Sequence, residues 1–366
     1  MRVPHWSRRV AAAIATGIAA PAAVVAATAG PAAAAAHVEG YVWASQPLTA
    51  QYVAATGYEY SSAGQPIVIT RTGVGDYTVR FHGLATPGGV AHVSAYGAGN
   101  GDFCTLAWYR PRGTDEVLRV RCFDGDGNPS DSRFVANLTD QLAAPGHLAY
   151  LYSHDPDPAG GSYQPDPQWS YDSAGQPIVV TRTGVGRYQV ELGALDLTFP
   201  GGYWNGTFRA TAFGPDPVRC EVLDPRFFSP VSVPVRCYDP AGLAVDSRFT
   251  LTYANGVNLL GSAAPHATAI ALPQPAADPV VGGWSSPGGM PTTTRLGVGD
   301  YLVSFPGLGM PRGHAMASAF GTPPQYCTVA AWFPAGGAET VRVNCWDAAA
   351  LNTPTDVWAF QVAFTR

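Results

Sequence analysis

The chain has 366 residues, all 21 of its basic residues are arginine, and its formal net charge is −5. Three arginines but no acidic residue lie in positions 1–36, so positions 37–366 carry 18 arginines against 26 acidic residues, a net charge of −8. This balance argues against a basic face, and we therefore expect neither nucleic acid nor anionic membrane as a partner.

The first 36 residues have the pattern of a secretory signal peptide. Arg2, Arg8 and Arg9 give a positive start, residues 10–29 are apolar and rich in alanine, and an alanine tract ends at Ala36. The run has few large apolar side chains, which argues against a membrane anchor. We predict a signal peptide at 1–36 that is cleaved near Ala36, no membrane span in the mature chain, and a secreted, extracellular location.

One module occurs three times in the rest of the chain. Its opening motif reads RTGVGDY from Arg71, RTGVGRY from Arg182 and RLGVGDY from Arg295, at intervals of 111 and 113 residues. These intervals have the length of a domain and exceed that of a solenoid repeat. Short linkers predict modules that touch end to end. The predicted domains are module 1 at 37–144, module 2 at 145–263 and module 3 at 264–366.

The strongest local pattern is the alternation of apolar and polar residues. Tyr77, Val79 and Phe81 point to one side of a predicted strand, and both other copies repeat this. The preceding Gly-Val-Gly segment suits a tight hairpin with positive φ. Residues 131–144 also fit a helix, but the alternating counterpart Phe249–Tyr253 favours strands in both places. Frequent turns and roughly seven or eight short strands per module predict an all-β fold of three tandem antiparallel β-sandwich domains.

Each module also contains two cysteines, 17 or 18 positions apart. In an exported chain such pairs are typical of disulfides. Folding a hairpin about residues 111–114 brings Cys104 opposite Cys122, at a distance that a disulfide bridges. We predict one disulfide within each module: Cys104–Cys122, Cys220–Cys237 and Cys327–Cys345.

An arginine and an aspartate recur at fixed places in every module. The pairs are Arg71 with Asp131, Arg182 with Asp246 and Arg295 with Asp356. They suit either a clamp for a carboxylate or sugar ligand, or a structural ion pair that fixes the hairpin. We prefer the structural interpretation, because a buried arginine needs a partner.

Two patterns suggest metal sites. A mature N-terminus at His37 resembles that of copper monooxygenases, with His82, His92 or His154 as the second histidine ligand. However, His147 and His266 occupy the same module position and have no free amine there. Residues 124–128 (DGDGN) resemble a calcium loop but lack its glycine and its final glutamate, so we interpret them as a hairpin turn. We predict no metal, no cofactor and no copper-dependent oxidase activity.

Catalytic motifs are absent from the sequence, and we predict that the protein is not an enzyme. A hydrolase with paired carboxylates leaves no local motif and stays an alternative. Module 2 carries several aromatic residues in Gly/Pro-rich segments, which serve either as core or as a stacking platform for sugar rings. The candidate platform residues are Tyr163, Trp169, Tyr171, Tyr203 and Trp204.

The combination of R-T-G-V-G-x-Y, two cysteines and a closing D-x-R-F resembles an uncharacterised tandem-repeat family of secreted actinomycete proteins. The resemblance covers the mature chain and implies location and fold, but it implies no active site. Our first hypothesis is a non-enzymatic extracellular protein with a binding, structural or adhesive role. The alternatives are a carbohydrate- or cell-wall-binding protein and a secreted polysaccharide-active enzyme with its site in one diverged module. Candidate partners are a glycan, the cell wall or a protein.

Overall fold

The computed structural model describes residues 37–366 except 98, 100, 194–205, 224–230, 273–279, 322–323 and 351. The predicted signal peptide, Tyr203 and Trp204 therefore lie outside the described residues. Within them the chain forms 27 strands, one short 3-10 helix at Pro167–Trp169 and no α-helix, which confirms the all-β prediction. None of the described residues belongs to a helix long and apolar enough to cross a membrane.

Each module contributes nine of these strands. Module 1 contains β1 (Val38–Ala44), β2 (Gln51–Val53), β3 (Glu59–Ser61), β4 (Ile67–Gly73), β5 (Asp76–Phe81), β6 (Val90–Tyr96), β7 (Phe103–Arg112), β8 (Asp115–Phe123) and β9 (Arg133–Asp140). Module 2 contains β10 (His147–Ser153), β11 (Ser162–Tyr163), β12 (Ser170–Asp172), β13 (Val179–Gly184), β14 (Arg187–Leu192), β15 (Thr207–Phe213), β16 (Arg219–Val222), β17 (Val231–Tyr238) and β18 (Arg248–Asn255). Module 3 contains β19 (His266–Ala271), β20 (Val280–Ser285), β21 (Thr292–Gly297), β22 (Asp300–Pro306), β23 (His314–Phe320), β24 (Gln325–Ala335), β25 (Ala338–Asp347), β26 (Thr353–Pro354) and β27 (Ala359–Thr365).

Two antiparallel sheets face each other in every module. In module 1 the inner sheet has the order β3-β1-β9-β6 and the outer sheet the order β2-β4-β5-β8-β7. Val42 and Phe134 of the inner sheet pack against Val79 and Leu118 of the outer sheet in one core. Modules 2 and 3 repeat this arrangement, with inner sheets β12-β10-β18-β15 and β20-β19-β27-β23. Each module is thus a β-sandwich, as the sequence predicts.

The three disulfides lie within the modules. Each joins residues that are directly opposite in an antiparallel pair: Cys104 with Cys122, Cys220 with Cys237, and Cys327 with Cys345. The described residues include no free cysteine. The predicted pairing is confirmed.

The inner and outer sheets differ in burial. Buried and half-buried residues alternate along β5 of the outer sheet, whereas nearly every residue of β6 in the inner sheet is buried. A strand that is buried on both sides needs a second packing partner. The inner sheets of the three modules supply this partner for one another. His92 of module 1 lies between the hydroxyls of Thr211 and Thr252 of module 2, and the N–H of Phe208 in module 2 donates to Gln361 Oε1 of module 3.

The modules close into a ring. Strand β7 of module 1 lies parallel to β15 of module 2, and β24 of module 3 lies parallel to β6 of module 1. The N–H of Gly214 donates to Leu106 O at 2.8 Å, and that of Gly97 donates to Val329 O at 3.0 Å. Strands β16 and β23 are neighbours at the third junction. The modules therefore surround a pseudo-threefold axis and do not simply touch end to end, since their edge strands pair across two junctions and lie side by side at the third.

Turns and a linker close the two ends of this axis. At one end, the turn at Asp124–Asn128 packs against Pro240 of the corresponding turn in module 2, and Asn352 Nδ2 of module 3 donates to Gly125 O at 2.6 Å. Asp124 Oδ1 accepts the N–H groups of its own turn, as the interpretation of a hairpin turn predicts. At the other end, the linker 256–262 buries Leu259 against the inner strands.

Candidate functional site: three equivalent hairpin tips

The motif arginine and the late aspartate meet at the base of the hairpin between β4 and β5. In module 1, Arg71 Nε and Nη2 donate to Asp131 Oδ1 and Oδ2 at 2.9 and 2.8 Å. Asp131 Oδ1 also accepts the N–H of Gly75 at 2.9 Å and the hydroxyl of Tyr77 at 3.0 Å. One carboxylate thus holds three residues of the motif and fixes the hairpin backbone.

Modules 2 and 3 repeat this cluster. Asp246 accepts two hydrogen bonds from Arg182 at 3.0 and 2.7 Å, and Asp356 accepts two from Arg295 at the same distances. The glycine N–H and the tyrosine hydroxyl also donate in both copies. The guanidinium groups therefore occupy both carboxylate oxygens, which is the arrangement that a structural pair requires.

The third residue of each Gly-Val-Gly segment must be glycine. Gly75, Gly186 and Gly299 have φ of 61°, 62° and 63°, a region that other residues avoid. A Cβ on Gly75 would lie 2.3 Å from Cys122 O, and the same clash occurs in the other modules. The hairpin consequently packs directly on the disulfide-bearing strand β8.

Hydrogen bonds also set the ionisation of the cluster. The Arg71 guanidinium lowers the pKa of Asp131, and the hydrogen bonds from Arg295 lower the pKa of Asp356 to about 2. Burial, followed by the hydrogen bond to the aspartate, raises the pKa of Tyr77. The aspartates stay ionised and the tyrosines neutral at neutral pH, so no group of this cluster is set up to transfer a proton.

The valine of each segment points to solvent. Val74, Val185 and Val298 are 55, 54 and 57 % exposed. We call these three hairpin ends the tips. Because each tip rests on the strand end that leads into an Asp turn, and because the modules are cyclically arranged, the tips surround the axis at the end that those turns close.

A second ion pair next to two of the tips could have been found from the motif itself. Asp76 binds Arg119 on β8 and Asp300 binds Arg342 on β25, both through two hydrogen bonds. Module 2 has Arg187 in place of the aspartate, and Arg187 lies opposite Arg236. The change from GVGD to GVGR in the second copy is the sequence signal for this difference.

The predicted aromatic platform is not an exposed surface among the described residues. Trp169 packs edge-on against Tyr109 of module 1, with ring centroids 5.4 Å apart, and Tyr171 stacks on Tyr150 at 5.5 Å. The hydroxyl of Tyr163 is bonded to Ser153 Oγ at 2.8 Å. All three are half-buried.

The histidines considered as copper ligands have protein partners. His37 Nδ1 faces the carbonyls of Asp140 and Gln141, and its Nε2 lies 3.5 Å from Glu39 Oε2. His92 lies between the hydroxyls of Thr211 and Thr252, and His82 contacts Asp115. Among the described residues no group of three His, Cys, Asp or Glu side chains is placed to hold a metal ion.

A groove lies beside the cluster of module 2. It has a volume of about 250 Å³ and is lined by Asp246 and Arg248 together with the ring of Phe213. The Arg248 guanidinium lies 5.6 Å from the centroid of that ring. A groove with one aromatic face and charged hydrogen-bonding groups has the chemistry of a small polar ligand site.

Comparisons with known proteins identify no relative of this chain. No protein-family model, no curated protein and no solved structure matches it.

Proposed function

We propose that residues 37–366 form a secreted, non-enzymatic binding protein that contacts its target through the three tips. The signal-like start of the chain and its three disulfides support an extracellular location. One observation carries the proposal: the same rigidly held hairpin exposes the same apolar residue three times around one axis.

A single exposed valine is common on protein surfaces and needs no explanation. Three equivalent exposed valines on a closed ring are less common, and the ring holds them at fixed distances from one another. A target with repeated epitopes can then be bound at several points, and each contact raises the effective concentration for the next. A glycan or cell-wall polymer provides such repetition, and so does an oligomeric surface protein.

The test uses residues 37–366 in sedimentation assays with purified cell walls and on a glycan and extracellular-protein array. Val74→Ser, Val185→Ser and Val298→Ser are made singly and together. We expect affinity to fall with each substitution, by more than about tenfold in the triple variant, because avidity is lost stepwise. Melting temperatures should not change, since the side chains are exposed.

Val53→Ser is the matched control, because Val53 is also 55 % exposed but lies on the edge strand β2, away from the tips. Wild-type binding by the triple variant would exclude the tips as the contact surface. A protein that binds no cell-wall, glycan or protein target would contradict the proposal as a whole.

The groove of module 2 supports a second candidate, recognition of a carbohydrate. Its volume of about 250 Å³, its aromatic ring and the guanidinium of Arg248 suit one sugar unit. Arg248→Gln removes a charged donor from the groove. If this function holds, the variant loses glycan binding while the triple tip variant retains it.

A further inference from the structure

Charged residues of module 2 lie on the pseudo-threefold axis in the interior of the molecule. Arg219 precedes the first cysteine of module 2, where modules 1 and 3 have Phe103 and Tyr326. Its guanidinium lies 3.7 Å from the Phe103 ring centroid and 4.2 Å from that of Tyr326. Three equivalent positions therefore meet at the axis, and only one of them is charged.

A second arginine of module 2 also lies on the axis at a position where the other two modules have no arginine. Arg209 on β15 corresponds to His92 and Met316 in the other modules. It donates to the carbonyls of Val93 in module 1 and Ala317 in module 3, so it too crosses the axis. Arg209 is 8 % and Arg219 4 % exposed.

Neither arginine forms a direct ion pair with a carboxylate of the described residues, although the Glu221 carboxylate interacts with both over a longer distance. Arg209 Nε, Arg219 Nε and Arg219 Nη1 are buried without an acceptor. The remaining bonds of Arg219 go to Gly125 O and Asn352 Oδ1, which carry no charge. A buried charge without a counter-charge is costly, and proteins normally pair it.

Both arginines line one small cavity of about 40 Å³, together with Glu221 and the first cysteine of each disulfide. One water molecule needs roughly 10–15 Å³ by this kind of measure, so the cavity has room for a monatomic ion. Residues of all three modules line it.

The acidic side chain in the cavity does not balance the charge. Glu221 accepts a hydrogen bond from Ser318 Oγ at 2.6 Å, and burial raises its pKa to about 7. Its carboxyl group is therefore partly protonated near neutral pH, and the two arginines outnumber it in either state. Asp102 accepts hydrogen bonds from Ser130 and Ser132 and does not line the cavity.

We infer that the axial cavity is a binding site for a monovalent halide, chloride under ordinary conditions, held by the free N–H groups of Arg209 and Arg219. The ion supplies the missing counter-charge at the point where the three modules meet. It thereby stabilises the ring and is independent of the tips.

Two measurements on residues 37–366 test this site. Crystals soaked in sodium bromide should show an anomalous peak in the cavity between Arg209 and Arg219. In solution, sodium chloride should raise the melting temperature in a saturable way by a few degrees relative to sodium gluconate at equal ionic strength, since gluconate is too large for the cavity. A cavity that holds only water, or a melting temperature that depends on ionic strength alone, would overturn the inference.

Two variants with opposite expected effects on halide binding are used, so that one of them still tests the site if the other folds poorly. Arg219→Gln should lose more than half of the chloride-dependent rise. Glu221→Gln keeps the acceptor for Ser318 but removes the negative charge, so it should strengthen halide binding at pH 8 by about tenfold or more. The control is Arg112→Gln, at an exposed arginine in the β7–β8 hairpin. An Arg112→Gln effect equal to that of Arg219→Gln, or weaker halide binding by Glu221→Gln, would contradict the assignment.

Discussion

Module 2 differs from modules 1 and 3 most in charge at the places where the modules meet, and it shares with them the Arg–Asp cluster and the disulfide that hold each module together. The Arg–Asp–Gly–Tyr cluster and the disulfide are the same in all three. On the axis, by contrast, Arg209, Arg219 and Glu221 have no charged counterpart in the other modules. Even His92, which takes the place of Arg209 in module 1, is neutral, because burial lowers its pKa.

The reason for this difference is the symmetry itself. A pseudo-threefold axis brings equivalent residues together, so three identical charges on the axis would repel one another at short range. One guanidinium between two aromatic rings avoids that repulsion. Positions inside a module can stay identical, whereas positions on the axis have to diverge.

The largest expected effect concerns a buried glutamate that module 2 lacks. Glu116 at the start of β8 is fully buried, as is its counterpart Glu339, whereas module 2 has Val231 there. Burial raises the pKa of Glu116 to about 8, above its ordinary value of 4.5. The folded protein therefore binds more protons in this range, and stability is lost as pH rises from about 4.5 to 8, by on the order of 3 kcal/mol at pH 7.

Chemical unfolding as a function of pH measures this effect. Glu116→Gln keeps the acceptor for the Thr86 N–H and should remove its share of the slope, so that the variant becomes more stable than the wild type above pH 7. Because Glu339 and Glu221 shift in the same direction, the difference between variant and wild type is the quantity to compare. Identical slopes for both proteins would contradict the assignment.

The next largest effect on stability concerns the hairpin glycine that all three modules share. Gly75→Ala and Gly186→Ala should each cost at least about 1–3 kcal/mol, because the backbone is left-handed there and the new methyl group meets a carbonyl. Gly73→Ala and Gly184→Ala are matched controls from the same motif, with no contact closer than 3.7 Å. Thermal unfolding of the protein should show similar losses of stability for the substitution in module 1 and the substitution in module 2. A much smaller loss in module 2 would mean that its tip is held differently.

The smallest effect sharpens the comparison at the second ion pair. Arg187 lies opposite Arg236 in module 2. In module 1, Asp76 lies opposite Arg121 and binds Arg119, whose place in module 2 is taken by Pro234. Arg187→Asp should therefore stabilise the protein and Asp76→Arg should destabilise it, each by about 0.2–1 kcal/mol, since these residues are near the surface. Both effects should shrink in 0.5–1 M salt, roughly where the Debye length falls towards 3 Å. If both substitutions changed the stability in the same direction, the charge pairing next to the tips would not be the cause.

Sequence patterns determined the interior of each module. Alternation after Tyr77, Tyr188 and Tyr301 placed the outer strands, and the constant cysteine spacing fixed the disulfides, because hairpin partners are close in sequence. The recurrence of Arg71 and Asp131 in three copies was enough to suggest their pairing across 60 residues. The exposed valines could also have been noted from the repeated Gly-Val-Gly.

Only the tertiary structure decided how the modules are arranged. The inner strands carry small and apolar residues on both faces, which indicates burial but does not name the partner. The parallel contacts β7–β15 and β24–β6 join residues more than a hundred positions apart, and no local pattern specifies them. For the same reason, Phe103, Arg219 and Tyr326 are unremarkable in sequence. Their meaning depends on the axis, where a cyclic arrangement places the one charged residue between the two aromatic rings.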